Sequence, residues 1–136
     1  IARCLTSRTR VLVLNSPHNP TGGVATDAEL DALARLATDH DLQVVSDEVY
    51  GAITFDGAAP RGIGTRAGMA GRTVTVDSFS KTWAMTGWRL GWALLPEPLV
   101  APVRALLLGT TTCTPEFVQR AGLAALEGPP DAVRGM

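Results

Sequence analysis

Apolar and polar positions along the chain follow two different periods. "RVLVLN" (residues 10–15) is a short β-rich apolar run. It gives way at once to "SPHNPTGG", which is dense in residues that favour turns. The period then becomes helical. In "TDAELDALARLATDHD", Leu30, Leu33, Ala34 and Ala37 fall on one stripe, and Thr26 with Glu29 three positions later forms a capping box. "LQVVSD" (42–47) and "RTVTVD" (72–77) read as a second and a third strand, the latter rich in β-branched residues. "RLGWALL" (89–95) reads as a fourth, and helices are expected over about 97–108 and 115–126. No internal repeat or interdomain linker is visible.

A full helix between the first two strands is the βαβ pattern of a parallel sheet. Only about a dozen residues, read as loop, join the third strand to the fourth. That is short for a crossover, so the fourth strand is expected to run antiparallel. The expected class is α/β: three layers around a mostly parallel sheet with at least one antiparallel strand.

Composition narrows this picture. A chain of 136 residues, 46% hydrophobic, suits one domain with its own core. A net charge of −1 offers no basic footprint for nucleic acid. Cys4 and Cys113 stand outside any metal-ligand spacing and read as buried or incidental thiols of a reducing compartment, in keeping with a cytoplasmic location. The most apolar stretch, "LGWALLPEPLVAPVRALLLG", is interrupted by three prolines, Glu97 and Arg104. A membrane span needs ~20 predominantly apolar residues, so no membrane partner is expected. The chain opens at Ile1 and stops at Met136 soon after "EGPPD", so it reads as a piece of a longer protein.

Chemistry collects after the strands. In open α/β sheets, ligands bind beyond the carboxyl ends of the strands. Asn19 follows the first strand, Asp47 ends the second, and Ser78, Ser80 and Lys81 follow the third. Arg89, at the start of a reversed fourth strand, returns to the same edge. Lys81 is the only lysine, against eleven arginines. A surface lysine is ordinarily a solvated charge, but here every other cationic side chain is arginine. A lysine amine can lose its proton and attack a carbonyl; a guanidinium cannot. Asp47 leaves a buried strand, where a carboxylate is costly unless paired. It is either a structural cap or salt bridge, or the partner of a cationic ring nitrogen. Ser78, Ser80 and Arg89 together suit a phosphate. Tyr50 could simply pack, although its hydroxyl would still seek a partner. Trp83, Trp88 and Trp92 read as core or interface packing.

Together these residues resemble the class I/II aminotransferases, the pyridoxal-phosphate enzymes of fold type I. "NSPHNPTG" is similar to the family's Asn-Pro-Thr-Gly segment and "SDEVY" to its Asp-x-x-Tyr segment. "SFSKTWAMTGWRLG" is similar to its Ser-x-Ser-Lys loop ending in Arg-x-Gly. All three occur in the family's order and spacing. The resemblance implies that residues 1–136 are part of the cofactor-binding large domain, without its N-terminal part or the small C-terminal domain. It implies pyridoxal 5′-phosphate as cofactor, an amino acid and a 2-oxo acid as substrates, and a homodimer in the intact protein. By the same resemblance Lys81 forms the Schiff base and moves the substrate α-proton, and Asp47 pairs with the pyridine nitrogen. Asn19 and Tyr50 bond the phenolic oxygen, while Ser78, Ser80 and Arg89 hold the phosphate. This chain alone is then expected to lack activity.

Other readings are weaker. Ser78-Phe79-Ser80-Lys81 fits the Ser-x-x-Lys pattern of serine acyl-enzymes, but no Ser-Asp-Asn or Lys-Thr-Gly follows. "GIGTRA" fits a dinucleotide fingerprint, but it follows a loop and not a strand. Closer alternatives are a C–S lyase or other elimination enzyme of the same fold, and a non-catalytic regulator or remnant.

Overall fold

The computed structural model describes residues 1–129 and 131–135. Four strands form one sheet in the order β1-β2-β3-β4: β1 Val11–Asn15, β2 Gln43–Asp47, β3 Thr73–Ser78 and β4 Gly91–Leu94. The first three run parallel and β4 pairs antiparallel to β3, as the short connection requires. The class is α/β with a mixed sheet. Helix α1 (Asp27–Asp39) makes the crossover between β1 and β2. Its start is the capping box: the Thr26 hydroxyl accepts the Glu29 amide, and the Glu29 carboxylate accepts the Thr26 amide.

Strand alternation sends Leu12, Leu14, Val44 and Ser46 to the face covered by α1. There Leu30, Ala34 and Ala37 meet Leu42, Val44, Ile63 and Met69, each less than a tenth exposed. The opposite face is open at β1, where Val11 and Val13 are 49% and 70% exposed. One helical layer is therefore in place along β1, and the other layer of the expected three is not built over these two valines.

Two further features differ from the sequence expectation. The segment after β3 is not all loop: Phe79–Thr82 closes one helical turn, α2. Ser78 caps it, accepting the Ser80 amide at 3.2 Å. Arg89 does not begin β4. It ends a 3₁₀ turn, Thr86–Trp88, in the left-handed region at φ 52°, and β4 starts two residues later. Helices α3 (Glu97–Thr110) and α4 (Glu116–Glu127) follow near their expected places, and a short α5 spans Asp131–Arg134. Helix α4 lies against the α2 segment. A β-carbon on Gly122 would strike the Leu90 side chain and come within 3.5 Å of the Phe79 ring. The absence of a side chain thus lets this helix brace the turn that carries Lys81.

Both cysteines are free, and both are exposed where burial was one expectation. Trp83 packs on Phe79 with ring centroids 4.8 Å apart, whereas Trp88 and Trp92 remain over 40% exposed. Among the described residues no helix is long and apolar enough to cross a membrane.

Candidate active site

The carboxyl ends of the three parallel strands bring Asn15, Asp47 and Ser78 to one edge. Asn15 and Asp47 are partners in the β1–β2 register. The Asn15 side chain uses both of its ends: Nδ2 donates to the Asp47 carbonyl at 3.2 Å, and Oδ1 accepts the Asn19 amide at 3.0 Å. It ties the end of β2 to the "SPHNPTGG" loop. That loop contains two cis peptide bonds, Ser16–Pro17 and Asn19–Pro20. Asn15 is not among the residues that stand out in the sequence; its only signal there is an amide at the last position of a strand, just before a turn-rich loop.

Asn19 reaches across to the segment after β2, where its Nδ2 donates to the Tyr50 hydroxyl at 3.2 Å. The Tyr50 hydroxyl accepts here, so its own proton is free for another acceptor, as is the second amide hydrogen of Asn19. The Lys81 ammonium lies 5.7 Å from the centre of the Tyr50 ring, within cation–π range. Asn19, Tyr50 and Lys81, 62 positions apart from first to last, thus form one connected group. Asn19 and Tyr50 also line a cavity of about 590 Å³ whose walls include Pro17, Ile53 and Phe55.

Asp47 is half-buried, and its Oδ1 accepts the Val49 amide at 3.2 Å. Its neighbours in sequence and space are also acids. Glu48 lies on the α1 side, where the Ser46 hydroxyl donates to its Oε1 at 2.8 Å. Burial pushes the Glu48 carboxyl above the usual range; the Ser46 hydrogen bond opposes this and the Asp77 charge adds to it. Burial likewise raises Asp77, opposed by the Ser78 amide and aided by the Asp47 charge.

Ser78, Ser80 and Lys81 sit together on the cap and single turn of α2. Ser78 faces Gly91 across the β3–β4 pair, which puts Arg89 beside the same edge. The Arg89 side chain is exposed and its Nη1 donates to the Thr86 carbonyl at 3.0 Å, within its own turn. The backbone therefore brings Arg89 to the serines, while its guanidinium bonds locally. A group of three or more His, Cys, Asp or Glu able to hold a metal does not occur among the described residues.

The family model for aminotransferase class I and II matches residues 1–136. This chain belongs to the class I and II aminotransferase family. Aspartate aminotransferase of Musicola paradisiaca is 45% identical over 128 residues, which cover 94% of this chain and 32% of that protein. The arginine–pyruvate transaminase AruH of Pseudomonas aeruginosa is 47% identical over 131 residues, 95% of this chain and 33% of that one. The crystal structure of an aromatic aminotransferase from Pyrococcus horikoshii superposes with a TM-score of 0.95 at 41% identity, over 98% of this chain and 36% of that one. The chain spans about a third of the length of those relatives.

Proposed function

We propose that this chain is the cofactor-bearing part of a pyridoxal-phosphate-dependent aminotransferase that moves an amino group between an amino acid and a 2-oxo acid. The observation that carries this reading is the connected group Asn19–Tyr50–Lys81, which holds the chain's single lysine beside two hydrogen-bond donors at the carboxyl edge of the sheet.

The side chains present suit the cofactor's three polar regions. Asn19 and Tyr50 each keep a free hydrogen for the phenolic oxygen. Asp47, a carboxylate at a strand end, suits a protonated ring nitrogen. Ser78 still has its hydroxyl proton to donate, Ser80 offers a second hydroxyl, and Arg89 retains donors beyond the one given to Thr86. Lys81 supplies the amine for the aldehyde. The bound cofactor supplies the electron sink for bond-breaking at the substrate α-carbon. The protein's own contribution is to orient that carbon and to take its proton on Lys81 Nζ, which an arginine could not do at neutral pH. The proposal extends to a cytoplasmic homodimer, on the strength of the family alone.

The test follows nitrogen. Protein expressed from its whole reading frame is supplied with pyridoxal phosphate, a panel of amino acids and 2-oxo acids. Transfer is expected, with one new amino acid formed for each donor consumed and no ammonia released. Ammonia release in step with donor loss would instead identify an elimination enzyme. Lys81→Arg is expected to lower the transfer rate on the order of a thousandfold.

A further inference from the structure

We propose that Asp77 is a positioning residue for the turn that carries Ser78, Ser80 and Lys81: its carboxylate stands in for the sheet acceptor that the Ser78 amide has lost. The proposal rests on the cofactor reading of those three residues.

The ladder between β2 and β3 sets which acceptor each amide meets. Val44 pairs with Thr73, and Ser46 with Thr75, so alternate residues of β2 exchange hydrogen bonds with the residues flanking their partners. The Val44 amide donates to the Arg72 carbonyl at 2.8 Å, and the Glu48 amide donates to Val76 at 3.0 Å. The same register assigns the Ser78 amide to the Glu48 carbonyl. That bond is not made. The chain turns sharply after Asp47, and the Glu48 carbonyl accepts the Gly51 amide at 2.7 Å. On the other side of β3, the next amide, Phe79, donates to the Leu90 carbonyl at 3.1 Å.

Ser78 therefore sits where the parallel ladder ends. An amide left unpaired in this half-buried position would be costly. It donates instead to Asp77 Oδ1 at 2.6 Å. A charged acceptor makes this a strong bond. It holds Ser78 extended, at φ −149° and ψ 160°, in the geometry from which its hydroxyl caps α2. The Ser80 amide and the turn bearing Lys81 follow from that cap. The location is otherwise a poor one for a carboxylate. Burial and the nearby Asp47 charge both disfavour ionised Asp77, and the Ser78 amide partly offsets them.

The test compares Asp77→Asn, which keeps a side-chain oxygen acceptor, with Asp77→Leu, which has similar bulk and none. Protein from the whole reading frame is prepared without cofactor, and amide hydrogen exchange is followed at Ser78 and, as fold controls, at Val44 and Val45. In Asp77→Leu the Ser78 amide is expected to exchange roughly tenfold faster or more, with the controls unchanged. In Asp77→Asn it should stay within about threefold of wild type. Pyridoxal phosphate affinity is expected to fall roughly tenfold in the leucine variant and to be restored in the asparagine variant. Unchanged Ser78 exchange in Asp77→Leu overturns the proposal, as does exchange in Asp77→Asn as fast as in the leucine variant. If the leucine variant does not fold, Asp77→Asn decides alone, a tenfold acceleration counting against it. The expected exchange pattern with equal cofactor affinity in all three proteins overturns the positioning role. If wild type binds no pyridoxal phosphate, the cofactor reading fails and the exchange rates still judge the Asp77–Ser78 bond.

Discussion

Three carboxylates gather where β2 and β3 end, and each meets a different surrounding. Asp47 accepts the Val49 amide, Asp77 the Ser78 amide, and Glu48 the Ser46 hydroxyl. Burial raises Glu48 above the ordinary glutamate value of 4.5. The folded state then holds that proton more tightly than the unfolded chain does. The stability from protonated Glu48 is complete below the unfolded value and is lost as pH rises through the folded one. Glu48→Gln mimics the protonated form. Its urea midpoint should match wild type in acid and exceed it at neutral pH, the gap opening across that window; parallel curves would contradict the assignment. Asp47 was legible in the sequence because a polar residue ending an apolar strand stands out. Glu48, Asp77 and Asn15 were not, since which face each occupies and which amide it meets depends on strand register and on where the ladder stops.

At the scale of elements, α1 and the parallel strands were plain from periodicity, and the capping box marked the helix start. The turn α2 was hidden because four residues show no period, and only Ser78 as cap could have signalled it. The start of β4 was misplaced because Arg89 adopts φ 52°, a left-handed conformation that sequence does not announce for a non-glycine residue. Close approach at Gly91 fixes how β4 meets the candidate site. A β-carbon there would lie 2.9 Å from the Asp77 carbonyl and 3.3 Å from Ser78 Cβ. Backbone cannot step aside as a side-chain tip can, so Gly91→Ala should destabilise the protein by about 1–3 kcal/mol in chemical denaturation. It should also weaken pyridoxal phosphate binding by displacing Ser78. Full stability in that variant would show that the two strands are not held so tightly.

The whole molecule leaves much apolar surface uncovered. Val13 on one edge strand is 70% exposed and Leu94 on the other is 63% exposed, while α3 carries Leu106, Leu107 and Leu108 at 65%, 52% and 59%. Exposed apolar edge strands favour association between chains. The 136 residues prepared by themselves should therefore exceed monomer mass in light scattering at micromolar concentration, and Val13→Lys with Leu94→Lys should reduce that association. A monodisperse monomer would contradict this. The sequence could not display these surfaces: α3 reads as an ordinary helix, and only the fold reveals that it buries none of its residues.

The central claim is that Lys81 is the amine that receives the cofactor. The most direct measurement is to load protein from the whole reading frame with pyridoxal phosphate, reduce it with borohydride, and map the adduct by peptide mass. The account predicts the adduct on Lys81 and its loss in Lys81→Arg. A reduced adduct on another residue, or bound cofactor with no adduct at Lys81, would contradict it.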